Sequence, residues 1–329
     1  MKRYKHLSLE EREKLYAFQK MGLSQREIGK RLKRSQSNLS RELKRNAKYG
    51  AEYIPCRAQR LSDKRGWKQR CHAPLKNPLV FLYVREHLRM DWSPDEISGR
   101  IKLDHPGESI SYEAIYRYIY SKRMRRYKYW EYLTLGRKKR MKKGGRTVRR
   151  DASGKIPGSI SIDLRPEVVS LRSRVGDWET DNIIGKLTDK TALSVTVERV
   201  TKLTLLTKLL DRLAVTKRDA LIRRLGVFPK KIRLTLTTDN GSENSNHQEI
   251  SESLELLMFF CHAYHSWEKG TVENMNGRIR RYIPKGISID TFSEEYIHEA
   301  ERRLNSTPRK CLGYLTPYER MEQLQNGIA

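Results

Sequence analysis

Three acidic residues in the C-terminal half have the types and spacing of a metal-dependent phosphodiester site. Asp181 lies in GDWETDNIIGK, Asp239 in LTLTTDNGSEN and Glu273, 34 positions after Asp239, in WEKGTVENMNG. The first two follow β-prone runs and are predicted at strand ends, whereas Glu273 lies in a predicted helix. Carboxylates from separate elements repel one another unless they share a cation. A pair of divalent ions about 3.5–4 Å apart removes this repulsion and clamps the attacking and leaving oxygens of a phosphodiester.

The charge of the chain indicates a polyanionic partner. The net charge is +29, and its distribution is uneven. Residues 1–150 hold 41 Lys and Arg against 15 Asp and Glu, whereas residues 151–329 hold 27 against 24. So basic a half predicts salt-sensitive binding to nucleic-acid phosphates, in preference to a basic surface that only aids solubility.

Residues 1–47 have the pattern of a first helix-turn-helix domain. Ser8 and Ser24 are predicted N-caps of two helices, the second with Glu27 completing a capping box. A short turn precedes a third helix at 36–45, which would enter the major groove. A plain three-helix bundle is the alternative, but the outer face is rich in amide and cationic donors. The candidate DNA-binding residues are Ser35, Gln36, Ser37, Asn38 and Arg41.

Residues 77–122 predict a second helix-turn-helix domain. In WSPDEI, Ser93 is a predicted cap, Pro94 occupies the first helical position and Glu96 closes a capping box. A last helix follows Ser111, and some of its tyrosines are expected to pack rather than read DNA. The candidate DNA-binding residues there are Tyr112, Glu113, Tyr116 and Arg117.

Two basic segments are predicted as linkers. Residues 48–76 have no regular pattern and are interpreted as an irregular segment that follows the phosphate backbone. Residues 123–164 include GRKKRMKKGGRTVRR and are expected to grip DNA while tethering the helical domains to the rest of the chain, rather than to act as a localisation signal.

Residues 165–329 change to an α/β pattern. Three consecutive strands are predicted at 177–185, 191–199 and 204–210, followed by helices that alternate with strands at 232–238 and 258–263. This is a ribonuclease-H-like, integrase-type order. The predicted fold class is therefore multidomain, with two N-terminal all-α helix-turn-helix domains followed by an α/β catalytic domain.

Several motifs together resemble one family. TTDNGSEN, WEKGTVENMNGRIRRYIPKG, an upstream WETD, WSPDEISGRI, ISYEAIYRYIY and a closing LNSTPRKCLGYLTPYE occur in the order typical of the insertion-sequence-thirty family of bacterial transposases. The resemblance covers almost the whole chain. It implies a metal-dependent transposase of the acidic-triad (DDE) type, with Asp181, Asp239 and Glu273 as catalytic and metal-binding residues. It also implies that one helix-turn-helix domain recognises the terminal inverted repeats of the element.

The residues around the triad fit this chemistry. We expect two Mg²⁺ ions, for which Mn²⁺ can substitute, to activate water against a terminal phosphodiester and then to support attack by the freed 3′-hydroxyl on target DNA. Further DNA-binding residues are predicted after the second aspartate and along the Glu273 helix. They are Asn240, Asn276, Arg280 and Arg281.

The sequence thus predicts an enzyme that binds double-stranded DNA, both inverted-repeat ends and target. A homodimer or larger homo-oligomer is expected, because two ends must be held together. With no secretory or membrane segment evident, a bacterial cytoplasmic, nucleoid-associated protein is expected. A DNA-binding regulator with a decayed catalytic domain and a nuclease or integrase that moves no element of its own remain alternatives.

The aromatic and imidazole side chains near the acids have simpler interpretations. Trp178 and Trp267 are predicted to pack in the core rather than to stack on bases. His262 and His265 are predicted to be structural or to contact DNA, since the two-metal mechanism does not require them.

Overall fold

The computed structural model divides the chain into two units, Met1–Lys76 and Asn77–Ala329. Each unit contains helices with well-defined starts, and the second also contains the sheet. The structure describes residues 6–47, 52–72, 75, 77–134, 136–138, 156–186, 188–262 and 265–326.

The first unit contains the predicted helix-turn-helix. Serine caps begin its first two helices, because the side chains of Ser8 and Ser24 accept backbone N–H groups and each forms a capping box with a glutamate. Leu15, Ile28 and Leu39, one from each of the first three helices, are fully buried against one another. The helices of this unit are α1 Leu9–Lys20, α2 Gln25–Leu32, α3 Gln36–Asn46 and α4 Pro55–His72.

Helix α4 corrects the prediction that residues 48–76 are irregular. It packs on α1, and Tyr53 and Ala58 contribute to the core of the first unit. A buried ion pair between Arg12 and Glu42, 2.7 Å long, lies beside the hydroxyl of Tyr53. Few apolar residues are buried among the side chains of α4 that the structure describes, so its sequence lacks the strong helical periodicity from which a helix is predicted.

The second unit begins with the other predicted helical domain. Ser93 and Glu96 form the predicted capping box, with Pro94 at the first helical position. The segment after these helices, predicted to start a linker at 123, instead folds back in 3-10 turns that bury Tyr129 and Trp130. The three helices are α5 Pro78–Arg89, α6 Pro94–Asp104 and α7 Tyr112–Tyr120.

A five-stranded sheet forms the centre of the second unit, in the order β3-β2-β1-β4-β5. The first three strands are antiparallel neighbours, whereas β4 and β5 run parallel to β1. This arrangement confirms the predicted ribonuclease-H-like fold. The strands are β1 Asp177–Ile183, β2 Ala192–Glu198, β3 Thr204–Leu209, β4 Thr235–Thr238 and β5 Leu257–Phe260.

Helices cover both faces of the sheet. One buried cluster joins the sheet to α9 and α10 and includes Trp178, whose ring N–H donates to the carbonyl of Ile232 at 3.0 Å. The prediction that Trp178 packs in the core is confirmed, whereas the side chain of Trp267 lies outside the described residues. A second cluster joins the opposite face to α11 and α12. The helices are α8 Glu167–Leu171, α9 Ala214–Leu225, α10 His247–Leu254, α11 Gly270–Ile279, α12 Glu294–Asn305 and α13 Pro317–Asn326.

The α5–α7 helices pack directly on the sheet domain within this unit. The guanidinium of Arg100 makes paired bonds of 2.6 and 2.7 Å to the carboxylate of Glu319 on α13. At Gly99, a Cβ atom would lie 2.2 Å from the ring of Tyr314, so only glycine allows this approach. The predicted boundary between a second helical domain and the catalytic domain therefore does not separate two independent bodies.

Candidate active site and nucleic-acid interface

Asp181 and Asp239 lie side by side on neighbouring parallel strands. The register of β1 and β4 pairs Glu179 with Thr237, so both aspartates, each two residues further on, lie at the same level. Asp239 follows the end of β4, as predicted. Asp181 is inside β1 rather than at its end, which corrects the prediction, because β1 continues to Ile183 in pairing with β2 after β4 has ended.

The ammonium group of Lys269 joins the two aspartates. Its Nζ lies 3.2 Å from Oδ1 of Asp181 and 2.9 Å from Oδ2 of Asp239. Burial opposes ionisation of Asp239, but the charge and hydrogen bond of Lys269 outweigh it and hold the pKa of Asp239 below its usual value. Burial likewise disfavours the Lys269 ammonium, but the two carboxylates keep the pKa of Lys269 above its usual value. Lys269 therefore places one positive charge between the two aspartates.

Glu179 fixes the helix that faces these aspartates. Its buried carboxylate accepts the backbone N–H groups of Thr271 and Val272 at 3.0 and 2.9 Å, at the start of α11. The guanidinium of Arg199 lies 3.1 Å from the other oxygen of Glu179. An anionic side chain at a helix N-terminus satisfies free N–H groups and complements the helix dipole. Glu179 therefore sets where α11 lies relative to β1.

Two contacts to Asp181 come from α11 and from the residue directly before it. Lys269, which precedes the first residue of α11, and Asn276, three residues after Glu273 on α11, both donate to Asp181, the latter at 2.8 Å. Residues three and four apart share one face of a helix. The structure thus brings Asp181 and Asp239 together, and Glu273, which is exposed, shares a face of α11 with Asn276.

The asparagines predicted to bind DNA make hydrogen bonds within the site. Asn276 donates to Asp181, and Asn240 donates to the carbonyl of Cys261 at 2.6 Å, which links the ends of β4 and β5. Asn244, which was not predicted, donates to Oδ1 of Asp239 at 3.0 Å. Each amide orients an element or a carboxylate of the site.

The two arginines predicted to hold phosphates have partners within the protein. Arg280, at the end of α11, donates to the carbonyl of Ile184 at 2.9 Å, and burial lowers its pKa. Arg281 forms an ion pair with Asp91 at 2.6 Å, which connects the end of α11 to the loop before α6. In this conformation Arg281 stabilises the packing of the helical segment rather than presenting a free charge to DNA.

Most of the candidate DNA-binding residues of the first unit are exposed on α3 and its N-cap. Ser35, Gln36, Ser37 and Arg41 are exposed, and Asn38 is half-buried. The Arg41 guanidinium donates back to the carbonyl of Ser37 at 3.1 Å, so it lies along the helix beside the predicted reading positions.

Helix α7 presents a more enclosed surface. Tyr112 and Arg117 are exposed, whereas Glu113 and Tyr116 are half-buried. Glu113, Tyr116 and Arg117 line a cavity of about 280 Å³ together with Trp130. The predicted reading face of α7 is therefore partly covered by the turn at Tyr129–Tyr132.

The histidines near the site contact carboxylates. His262 bonds Glu268 and Asp163 through its two ring nitrogens, both at 2.9 Å, and these bonds raise the pKa of His262. His265 bonds the same Glu268 oxygen at 3.2 Å. The cluster connects the loop after β5 to the segment before α8, which fits the structural interpretation of both histidines.

Sequence reasoning missed the cations of the site. Lys269 was not predicted, because it lies outside α11, in the 3-10 turn directly before that helix, where helical spacing gives no signal. Lys217 on α9 is fully buried, its Nζ has no hydrogen-bond partner among the described residues, and it lies in the field of Asp239 and Asp181. Burial lowers the pKa of Lys217. No sequence pattern marks such a residue.

The donor set fits a hard divalent cation. Mg²⁺ is bound by one or two carboxylates together with water and substrate phosphates, and the paired aspartates supply such oxygens. The position between them already receives a positive charge, that of Lys269. Charge and ligand type therefore both suit the ions predicted from the sequence.

Comparisons with known proteins agree with this architecture. A family model described as "Helix-turn-helix domain" matches residues 3–46. The transposase for insertion sequence element IS4351 of Bacteroides fragilis is 37% identical over 99% of this chain and 98% of its own length. The transposase for insertion sequence element IS1086 of Cupriavidus metallidurans is 35% identical over 98% of this chain and 96% of its own length.

Two further similarities extend the comparison. Transposase InsI for insertion sequence element IS30A of Escherichia coli is 31% identical over 97% of this chain and 84% of its own length. The crystal structure of the catalytic core domain of BIV integrase aligns with a TM-score of 0.37 at 21% identity, over 47% of this chain and 99% of that one. Across the described residues, the structure contains no helix long and apolar enough to cross a membrane.

Proposed function

The chain belongs to the IS30 family of insertion-sequence transposases, and from this premise we propose how its residues cut and join DNA. It is a transposase that binds the terminal repeats of its element and catalyses DNA cleavage and strand transfer. The observation that carries the mechanism is the pair of aspartates at one level of neighbouring parallel strands, sharing one positive charge.

Asp181, Asp239 and Glu273 are the proposed metal ligands, for two Mg²⁺ ions with Mn²⁺ as a substitute. When bound, such ions supply a nucleophile at neutral pH and stabilise the leaving 3′ oxygen. The chain's own residues prepare this site. Asn276 orients Asp181, and Asn244 orients Asp239, so that one oxygen of each carboxylate is fixed by an amide.

The helices of the first unit are the proposed reader of the element's ends. Exposed amide, hydroxyl and guanidinium donors along α3 suit base edges and phosphates in a major groove. The basic half supplies non-specific affinity for both end and target DNA. We further propose a homodimer or larger homo-oligomer that holds two ends, acting in the bacterial cytoplasm at the nucleoid, where its DNA substrate lies.

A cleavage assay with the full chain tests the function. The protein is mixed with end-labelled DNA that carries the element's inverted repeat, with Mg²⁺ or with EDTA. We expect a Mg²⁺-dependent nick at the repeat end and, with added target DNA, a joined product. Binding without cutting in either Mg²⁺ or Mn²⁺ would instead support a DNA-binding regulator. Cutting without any joined product would support a nuclease.

Arg41→Ala is expected to weaken binding to the inverted repeat by about 1–3 kcal/mol and to relax its sequence preference, as for loss of a groove-reading arginine. Fluorescence anisotropy with repeat and scrambled duplexes at matched salt measures both effects. Arg223→Ala removes an equally exposed charge from α9 and serves as the control. Equal loss of affinity in the two variants would show that Arg41 contributes only general charge.

A further inference from the structure

The ammonium group of Lys269 lies between the two aspartates that are the proposed metal ligands. We propose that Lys269 is a built-in counter-ion, which holds Asp181 and Asp239 in their active arrangement in the metal-free protein and leaves this position when metal binds. The inference rests on the proposed metal site and adds a competition between the protein's own cation and the metal.

The hydrogen bonds of the two carboxylates show why the competition is direct. Oδ2 of Asp181 accepts from Asn276, and Oδ1 of Asp239 accepts from Asn244 and from the backbone N–H of Gly241. The remaining oxygens, Oδ1 of Asp181 and Oδ2 of Asp239, are the two that Lys269 contacts. A metal that bridges the aspartates through these oxygens therefore replaces the ammonium group.

The burial of Lys269 shows that the contact is a defined state of the site. Its side chain is 6% exposed, although the Asp239 side chain beside it is 43% exposed. Its backbone position is fixed, because Glu179 anchors the next residues at the start of α11. The flexible four-carbon stem of a lysine nevertheless lets the ammonium group move while the backbone stays in place. Lys269 thus combines a fixed backbone with a side chain whose ammonium group can move.

The charge balance explains why such a residue is useful. Without a cation between them, neighbouring ionised carboxylates repel one another. Lys217 is also buried near these aspartates, but its Nζ makes no hydrogen bond within the described residues and so cannot order the carboxylates. Lys269 contacts both carboxylates. It preorganises the ligands at the expense of metal affinity, since metal binds only the fraction of molecules in which the ammonium has left.

Metal binding by the full-length protein without DNA tests this inference. Mn²⁺ affinity is measured by calorimetry and by counting free Mn²⁺ in electron paramagnetic resonance, for the wild type and for Lys269→Gln. If the ammonium vacates the site in about a tenth of wild-type molecules or fewer, the variant binds Mn²⁺ on the order of tenfold tighter. Lys269→Arg keeps the charge and is expected to bind as weakly as the wild type. Lys285→Gln, which removes an exposed charge, is the matched control and is expected to change nothing.

Thermal unfolding gives a second readout that does not depend on activity. Metal-free Lys269→Gln is expected to melt at a lower temperature than the wild type, and Mn²⁺ is expected to raise its Tm more than that of the wild type. Mn²⁺ affinity that is unchanged or weaker in folded Lys269→Gln would overturn the inference.

Asp181→Asn, made in the wild type and in Lys269→Gln, distinguishes failure of the counter-ion inference from failure of the proposed function. Mn²⁺ binding that depends on Asp181 but not on Lys269 would refute only the counter-ion role of Lys269. Mn²⁺ binding that is insensitive to Asp181 in every variant would refute both the proposed metal site and the counter-ion role of Lys269. The expected Mn²⁺ behaviour together with no DNA cleavage would leave the inference in place and overturn the transposase chemistry.

Discussion

Asp239→Asn and Glu273→Gln are each expected to lower the rate of Mg²⁺-dependent cleavage at the repeat end by at least about a thousandfold, or roughly 4 kcal/mol of transition-state stabilisation. Both substitutions keep the size of the side chain and remove a negative charge that would hold a metal ion. Single-turnover cleavage of labelled repeat DNA measures the loss. Binding of the same DNA is expected to be unchanged, because the proposed reading helix lies in the first unit.

Glu252→Gln is the control for both variants, since Glu252 is an exposed acid on α10. It is expected to cut at the wild-type rate. Wild-type cleavage by Glu273→Gln would exclude Glu273 from the site, although Asp181 and Asp239 would remain its centre. Equal losses in Glu252→Gln and in the two test variants would indicate a general effect of charge rather than loss of a ligand.

Glu179→Gln is expected to lower the free energy of unfolding by about 3–5 kcal/mol, the usual cost of removing one partner of a buried ion pair. The Glu179 side chain is fully buried, and that of Arg199 is 6% exposed, so the guanidinium would be left without its counter-charge. The carboxylate that the start of α11 contacts would also lose its charge. Urea unfolding followed by circular dichroism measures the change.

Asp219→Asn provides the comparison for this stability effect. Asp219 is 62% exposed and pairs with Arg218 on the surface, where an ion pair contributes about 0–1 kcal/mol. A loss in Glu179→Gln no larger than that in Asp219→Asn would contradict the role of Glu179 as the buried anchor of α11. A large loss of stability in Glu179→Gln with the position of α11 unchanged would show that Glu179 stabilises the core but does not position α11.

The local elements were predictable because their signals are local. The capping boxes at Ser24 and Ser93 mark the starts of α2 and α6 within a few residues. Strands β2 and β3 are rich in β-branched residues and leucine and lie close to their predicted bounds. Strand β4 begins later than predicted, at Thr235, because a 3-10 turn follows Pro229.

The packing of the helical segment on the sheet domain was not predictable in the same way. It depends on pairs such as Arg281 with Asp91, which are 190 positions apart, and on the approach of Tyr314 to Gly99. Neither pair has a local sequence pattern. A basic, polar segment such as α4 is also hard to distinguish from a linker, since few of its residues face a core.

Some residues of the candidate site were predictable from local sequence and others were not. The order of strands and helices, together with the family resemblance, predicts the three acids from the amino-acid sequence. Lys269, Asn244 and Glu179 act through contacts made only when β1, β4 and α11 converge. Lysine, asparagine and glutamate are common residue types, so their identities alone give no sign of these roles.

Anomalous diffraction from crystals of the protein soaked in Mn²⁺ shows whether the paired aspartates bind metal, because it locates the metal without relying on activity. We predict a peak between the carboxylates of Asp181 and Asp239 on the side that faces Glu273, with the Lys269 ammonium displaced from its present position. Mn²⁺ bound elsewhere, with Asp181 and Asp239 still joined by Lys269, would contradict the account.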